Sequence, residues 1–262
     1  MFRLVKNGNL CYYKIDSFEN TGLVKHCFTT KHGGVSSGCY ESLNLRMNCD
    51  DNKDNIYANY CIICNELGID VNSLVLSKQV HKTDVIDVTS ADKGNGIVFE
   101  NKYQSADALV TNEKNVPLVT FFADCVPVFL LDTKKQVLAL IHSGWRGTAN
   151  GIAALTAEHM MKHYGSSAED IIAAIGPSIR KCHFEVGEEV AVEFDERFID
   201  RAKEKPYVDL QGCITEQLIN VGVKRENITD SGICTCCRSD EFYSHRTKGG
   251  KRGTMAAIAM LI

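Results

Sequence analysis

His81, Cys125 and His142 are the residues of this sequence best suited to joint chemistry. Two imidazoles and a thiolate could hold one metal ion. Zinc with three protein ligands keeps a fourth position for water or substrate, the arrangement of catalytic rather than structural sites. Their spacing matches no short zinc motif, so the trio forms only if the fold gathers distant segments. The H-x-E and P-C-x-x-C pattern of cytidine-type deaminases is absent. Taken singly, each residue also has a plainer reading, as a hydrogen-bonded histidine or a buried structural thiol.

Their neighbours favour chemistry. His142 ends the apolar run Val137–His142 and leads into Gly144-Trp145-Arg146-Gly147 and a helical pattern. A strand–glycine turn–helix unit lets backbone approach a ligand and points free N–H groups at it. Arg146 adds a guanidinium fork suited to phosphate or carboxylate. Asp124 and Cys125 interrupt the apolar stretch Leu118–Leu131, and a carboxylate there needs a partner. Lys31, His32 and Arg246 could line a mouth for an anion or a sugar. Among the other thiols, Cys61 and Cys64 fall inside a helical pattern and belong to the core. Cys234, Cys236 and Cys237 could bind metal or oxidise, although no second C-x-x-C accompanies them.

The elements that must position these groups are short. Leu23–Thr30, Leu74–Val80, Leu118–Phe122, Val126–Leu131, Val137–His142, Ile171–Ile175 and Met255–Ile262 read as buried strands. Asn55–Leu67 and Thr148–Tyr164 have helical spacing, with Gly68 and Gly165 placed as C-caps. Glu185–Phe194 and Thr215–Asn220 read as further helices. Strands and helices interleave without a βαβ rhythm, which predicts an α/β sandwich with a mixed sheet. Four prolines and no low-complexity stretch leave one domain over residues 1–262. A net charge of −4 gives no global attraction to nucleic acid. No apolar run reaches membrane-span length, and the N-terminus lacks signal-peptide features, so no membrane association and a cytoplasmic location are expected. The twelve cysteines are then read as mostly reduced, buried thiols.

The ordered motifs Gly33–Ser36, Ser42–Leu45, Gln79–His81, Ala106–Thr111, Ala123–Pro127, His142–Gly147, Ile175–Pro177, Phe184–Gly187 and Tyr243–Arg246 together resemble one family. It is the YfiH-like family, long labelled multicopper polyphenol oxidase or laccase-domain proteins and now read as purine nucleoside phosphorylases. The resemblance implies a single-domain α/β/α sandwich with a mixed sheet, similar to a toxin deamidase with a Cys–His pair. It implies a metal held by His81, Cys125 and His142, zinc first and copper second. The activities implied are phosphorolysis of adenosine, inosine and methylthioadenosine, and adenosine deamination. Purine nucleosides and phosphate are then the partners, and the chain is expected to be a monomer or weak homodimer. Arg146 is the first choice for phosphate, with Arg246 and Lys31 as helpers. Asn44 and Gln79, inside two of the motifs, are expected at the substrate site, and Asp124 as a proton shuttle beside the catalytic Cys125 and His142. Lys31, Cys39 and Arg46 depart from the residues usual in the family. Two other activities compete: copper-dependent phenol oxidation, and a cysteine hydrolase with Cys125 as nucleophile and His142 as base.

Overall fold

Apolar runs without alternation need cover on both faces of a sheet. The computed structural model describes residues 1–262 and supplies that cover with two stacked sheets between layers of helix. In the first sheet β1 (Phe2–Asn7), β2 (Leu10–Ile15), β3 (Val24–Thr29), β14 (Met255–Leu261) and β7 (Leu118–Phe122) run antiparallel, and β4 (Val75–Leu76) adds a parallel edge. In the second, β13 (Ile228–Asp230), β10 (Ile171–Ile175), β8 (Val126–Asp132), β9 (Val137–Ser143), β6 (Ala108–Thr111) and β5 (Val85–Asp87) follow one another, with parallel pairs at both edges. A ribbon of β11 (Ile199–Asp200) and β12 (Tyr207–Val208) stands apart.

Side-chain parity sorts the layers. On β14, Met255, Ala257, Ala259 and Leu261 join Phe129, Leu131, Leu138 and Leu140 of the second sheet in a core between the sheets. The alternate residues Ala256, Ile258 and Met260 face α2 (Lys53–Leu67), which buries Ile56, Tyr60, Ile63, Cys64 and Leu67 against them. The outer face of the second sheet, with Val128, Leu130, Ala139 and Ile141, is covered by α4 (Ile152–Tyr164) and α6 (Leu210–Asn220). Each fully buried large apolar side chain contributes roughly 1.5–3 kcal/mol, so both sheets depend on their helices. The mixed α/β sandwich is as expected, but it has four layers rather than three. A run buried on both faces reads the same whether helix or sheet covers it, so the second sheet was not legible.

Local differences have local causes. Gly68 (φ 60°) and Gly165 (φ 67°) do end their helices in the left-handed conformation. The helix expected over Thr148–Tyr164 is split at Gly151 (φ 74°) into α3 (Trp145–Ala149) and α4. Only Val75–Leu76 of the run Leu74–Val80 pairs as strand, because the following residues form the loop that carries His81. The helix expected over Glu185–Phe194 shrinks to α5 (Glu188–Ala191), and the one at Thr215–Asn220 starts earlier, at Leu210, capped by Asp209. Two further short helices, α1 (Asp16–Glu19) and α7 (His245–Lys248), were not expected. No helix is long and apolar enough to cross a membrane.

Candidate active site

Cys125 and His142 are neighbours because they bracket a hairpin. β8 and β9 pair so that Val126 faces Ser143 and Pro127 faces His142, leaving the thiol and the imidazole at the open end. His81 arrives from a loop clipped to both sheets. The Gln79 side chain donates to the Phe121 carbonyl (2.8 Å) and accepts from the Phe121 N–H (2.8 Å), which ties the loop to β7. The Asp107 carboxylate, just before β6, accepts the backbone N–H groups of Val80, His81 and Lys82 at 3.0, 3.1 and 3.0 Å. His81 is thereby held in the left-handed region (φ 61°), a costly conformation that such a clamp can maintain.

The ligating atoms of His81, Cys125 and His142 all lie within 4.8 Å of one another. Asp107 also takes the Nδ1 hydrogen of His142 (2.8 Å), so Nε2 is the nitrogen that faces the trio, the carboxylate–histidine support usual behind metal ligands. Gly144 keeps the approach clear: a Cβ there would stand 2.7 Å from His81 Nδ1 and 3.5 Å from the Cys125 sulfur. One soft thiolate, two imidazoles and a cleared fourth side fit a zinc-type ion.

The electrostatics are those of an ion pair. Burial pushes the Cys125 thiol up, but the charge of His142 and hydrogen bonds from His142 and His81 outweigh it and bring it down to about 6. Burial would lower His142, yet Cys125 and Asp107 hold it up at about 9. Burial also opposes the charge of Asp107, but His142 and the N–H groups of Lys82 and Val80 keep its carboxyl below the usual range.

The trio opens into a cleft of about 500 Å³. Its walls are apolar at Trp145, Ile179, Phe184, Val186, Val190 and Leu210, and cationic at Arg146, Arg246 and Arg252. Arg252 is half-buried, its Nε has no hydrogen-bond partner, and burial together with nearby Arg46 lowers its pKa. A guanidinium short of partners at the wall of a cleft has the chemistry to pair with an anion.

A family profile described as "Multi-copper polyphenol oxidoreductase laccase" matches residues 25–262. Purine nucleoside phosphorylase YlmD of Bacillus subtilis is 36% identical over 239 residues, covering 88% of this chain and 86% of that protein. A purine nucleoside phosphorylase of Bacteroides thetaiotaomicron is 33% identical over 261 residues, 96% of each. The crystal structure of Bacillus licheniformis hypothetical protein YfiH superposes with a TM-score of 0.92 at 30% identity, covering 100% of this chain and 99% of that one. The chain belongs to the YfiH-like family. YlmD from Geobacillus stearothermophilus, with a TM-score of 0.90 at 29% identity, covers the same shares of both chains.

Within this family fold the expected site residues divide. His81, Asp124, Cys125, Arg146 and Arg246 line the cleft, and His142 backs it. Lys31, Asn44 and Gln79, expected at the substrate, are not among the lining residues. The Lys31 ammonium donates to the Ser239 carbonyl (2.7 Å). Asn44 is buried, its oxygen accepting from Arg46 and Thr254 and its nitrogen donating to Asp51. Gln79 is the loop clip described above. Asp124 (φ 89°) accepts from Thr235 Oγ1 (2.7 Å), Ser244 Oγ (3.0 Å) and the Arg246 N–H (2.7 Å), bonds that tie the C-terminal segment to the Cys125 end of β8. Arg246 itself donates to the carbonyls of His183 (3.0 Å) and Glu185 (2.9 Å). Asp107, Arg252 and His245 were not foreseen. Asp107 carried a signal, a carboxylate inside an apolar run, the same break that marked Asp124. Arg252, in a short basic stretch before β14, carried none that separates it from solvated charge.

Proposed function

We propose that this chain is a metal-dependent purine nucleoside phosphorylase, acting on adenosine, inosine and methylthioadenosine in the cleft that joins the ligand trio to three arginines. The observation that carries the reading is that juxtaposition: a half-buried, under-partnered Arg252 with Arg146 and Arg246 in one apolar cavity with His81 and Cys125. Phosphorolysis joins a phosphate oxygen to C1′ of the sugar while the bond from C1′ to the purine nitrogen breaks. The base leaves with the bonding electrons and takes up a proton. The arginines would bind and orient the phosphate dianion, paired charges in a partly dry cleft being strong. Trp145, Ile179 and Phe184 would enclose the purine and exclude water. His81, Cys125 and His142 would hold the metal, with zinc favoured by the donor set, and it would supply a Lewis acid beside the departing base. Asp107 would orient His142. Asp124, with both carboxylate oxygens engaged, would position Arg246 rather than shuttle protons.

Adenosine deamination belongs to the same proposal, with water replacing phosphate as nucleophile, attacking purine C6 and releasing ammonia. The test is turnover of each nucleoside by metal-loaded protein with and without phosphate. Free base with ribose 1-phosphate or methylthioribose 1-phosphate is expected only with phosphate, and inosine from adenosine without it. Base release indifferent to phosphate would overturn the phosphorylase reading.

A second reading has its own observation: Cys125, His142 and Asp107 are also arranged as nucleophile, base and orienting carboxylate. A covalent acyl adduct on Cys125 would favour a cysteine hydrolase. Phenol oxidation by a multicopper centre has less support, because the other clusters of ligating side chains lie outside this cleft.

A further inference from the structure

We propose that Cys182, His183, Cys234 and Cys237 form a second metal site, a structural zinc site of three thiolates and one imidazole. Beyond the active-site trio, these side chains bring four ligating atoms within 4.8 Å of one another. Four of the six spacings between these atoms are 3.2–3.7 Å, close to the edges of a tetrahedron around one ion. Cys182 Sγ lies 3.7 Å from Cys237 Sγ and 3.2 Å from His183 Nδ1. His183 Nδ1 lies 3.7 Å from Cys234 Sγ and 3.5 Å from Cys237 Sγ. Thiolates about 2.3 Å and an imidazole about 2.0 Å from one ion stand about 3.5–3.8 Å apart at tetrahedral angles. A dithiol poised only to oxidise needs two sulfurs. It gives no reason for an imidazole nitrogen and a third sulfur to converge on them.

The fold brings these residues together from two segments. Cys182 and His183 lie in the turn after β10, and Cys234–Cys237 follow β13, its parallel neighbour, with a bridge between Ser178 and Cys234 joining the two exits. Arg180 and Asp230 pair twice, at 2.7 and 2.7 Å, and close the same junction. Cys236 is turned toward Ser244 Oγ (3.3 Å) and is not a member of the set. Three thiolates and a neutral imidazole around a divalent ion leave one net negative charge; Lys181 borders the site, together with Asp209 and with Arg180 and Arg238, which pair with Asp230 and Glu241. Four protein ligands with soft sulfur in the majority select zinc and close its coordination, so the site holds structure rather than substrate.

Its position gives the site a consequence. The His183 carbonyl accepts from Arg246, and Thr235, between two of the cysteines, donates to Asp124. Zinc at this site would stiffen the wall from which Arg246 faces the cleft, without touching substrate.

The experiment separates the two sites by emptying the first. Cys125→Ser protein grown with zinc and without added copper is expected to retain one equivalent by elemental analysis. The further substitution Cys237→Ser is expected to remove it. Exposed Cys182 and Cys237 are expected to resist iodoacetamide until a chelator is added, and cobalt(II) in place of zinc should give thiolate charge-transfer absorption. Folding of each variant is checked by circular dichroism. If Cys237→Ser does not fold, the alkylation and cobalt results on Cys125→Ser protein decide the matter. Folded Cys125→Ser protein without zinc, or with a Cys182–Cys237 disulfide, overturns the proposal. None of these readouts depends on nucleoside turnover, so this site and the phosphorylase reading can fail separately.

Discussion

The two clusters of cysteine and histidine differ in what surrounds them. In the trio, Cys125 and His142 sit at strand ends and His81 in a clipped loop, beside a glycine whose missing Cβ leaves one side clear, and the three open onto a 500 Å³ cleft. The set of Cys182, His183, Cys234 and Cys237 lies in loops, with four donors rather than three, beside a pocket of about 470 Å³ lined mainly by charged side chains and the cysteines themselves. The trio is supported by a buried carboxylate that fixes an imidazole, the other set by the chain crossing it makes. Ligand number and the residues that line the neighbouring cavity, more than ligand type, separate a place for chemistry from a place for structure.

Removing a ligand from each cluster is the strongest way to break this comparison. Cys125→Ser is expected to lower phosphorolysis by ~10²–10³-fold, since a metal contributes several kcal/mol at the transition state and each ~1.4 kcal/mol is tenfold. Cys237→Ser is expected to leave kcat within ~3-fold while lowering Tm by ~5–10 °C, the loss of a ligand that binds only the folded chain. Equal effects of the two variants on kcat would erase the distinction.

Arg252→Ala is expected next in size, raising the KM for phosphate by ~10–100-fold, the value of a charge-assisted hydrogen bond lost in a partly dry site. The nucleoside KM should change little, and Arg252→Lys should recover part of the loss. A change in nucleoside KM alone would move Arg252 out of the phosphate site.

Asp107→Asn is expected to weaken metal binding at the trio by ~10–100-fold, measured by competition with a chelator, and to leave the four-ligand site unaffected. The smallest effect is a matter of pH. In metal-free protein the Cys125 thiol, lowered to about 6, is deprotonated above that pH and protonated below it. Its alkylation rate should therefore rise through pH ~6, whereas an unperturbed thiol gains reactivity near ~8.5. A midpoint near the ordinary value would mean that His142 does not stabilise the thiolate.

Much of the site was legible because its residues break local patterns. Asp124 and Cys125 interrupt an apolar run, and His142 ends one at a glycine turn, so each stood out against the β period. Cys125 and His142 also bracket two adjacent runs, which a hairpin brings side by side. His81 had no comparable signal, because its position depends on clips from Gln79 and Asp107 to strands far along the chain. Lys31, Asn44 and Gln79, which do not line the cleft, show the same dependence in reverse. Polar side chains inside motifs look alike whether they bind a ligand or a backbone carbonyl, and only their partners distinguish them.

The amino-acid sequence by itself determined the buried strands, the long helices with their glycine caps, the Cys–His hairpin and the family. Those features rest on interactions between near neighbours and on the period of apolar residues. Tertiary structure alone decided that two sheets rather than one carry the site, that Arg252 completes the cationic wall, and that Cys182 and His183 meet two distant sulfurs, those of Cys234 and Cys237. Each of these depends on which faces pack together, and packing between segments far apart in the chain leaves no local period to read.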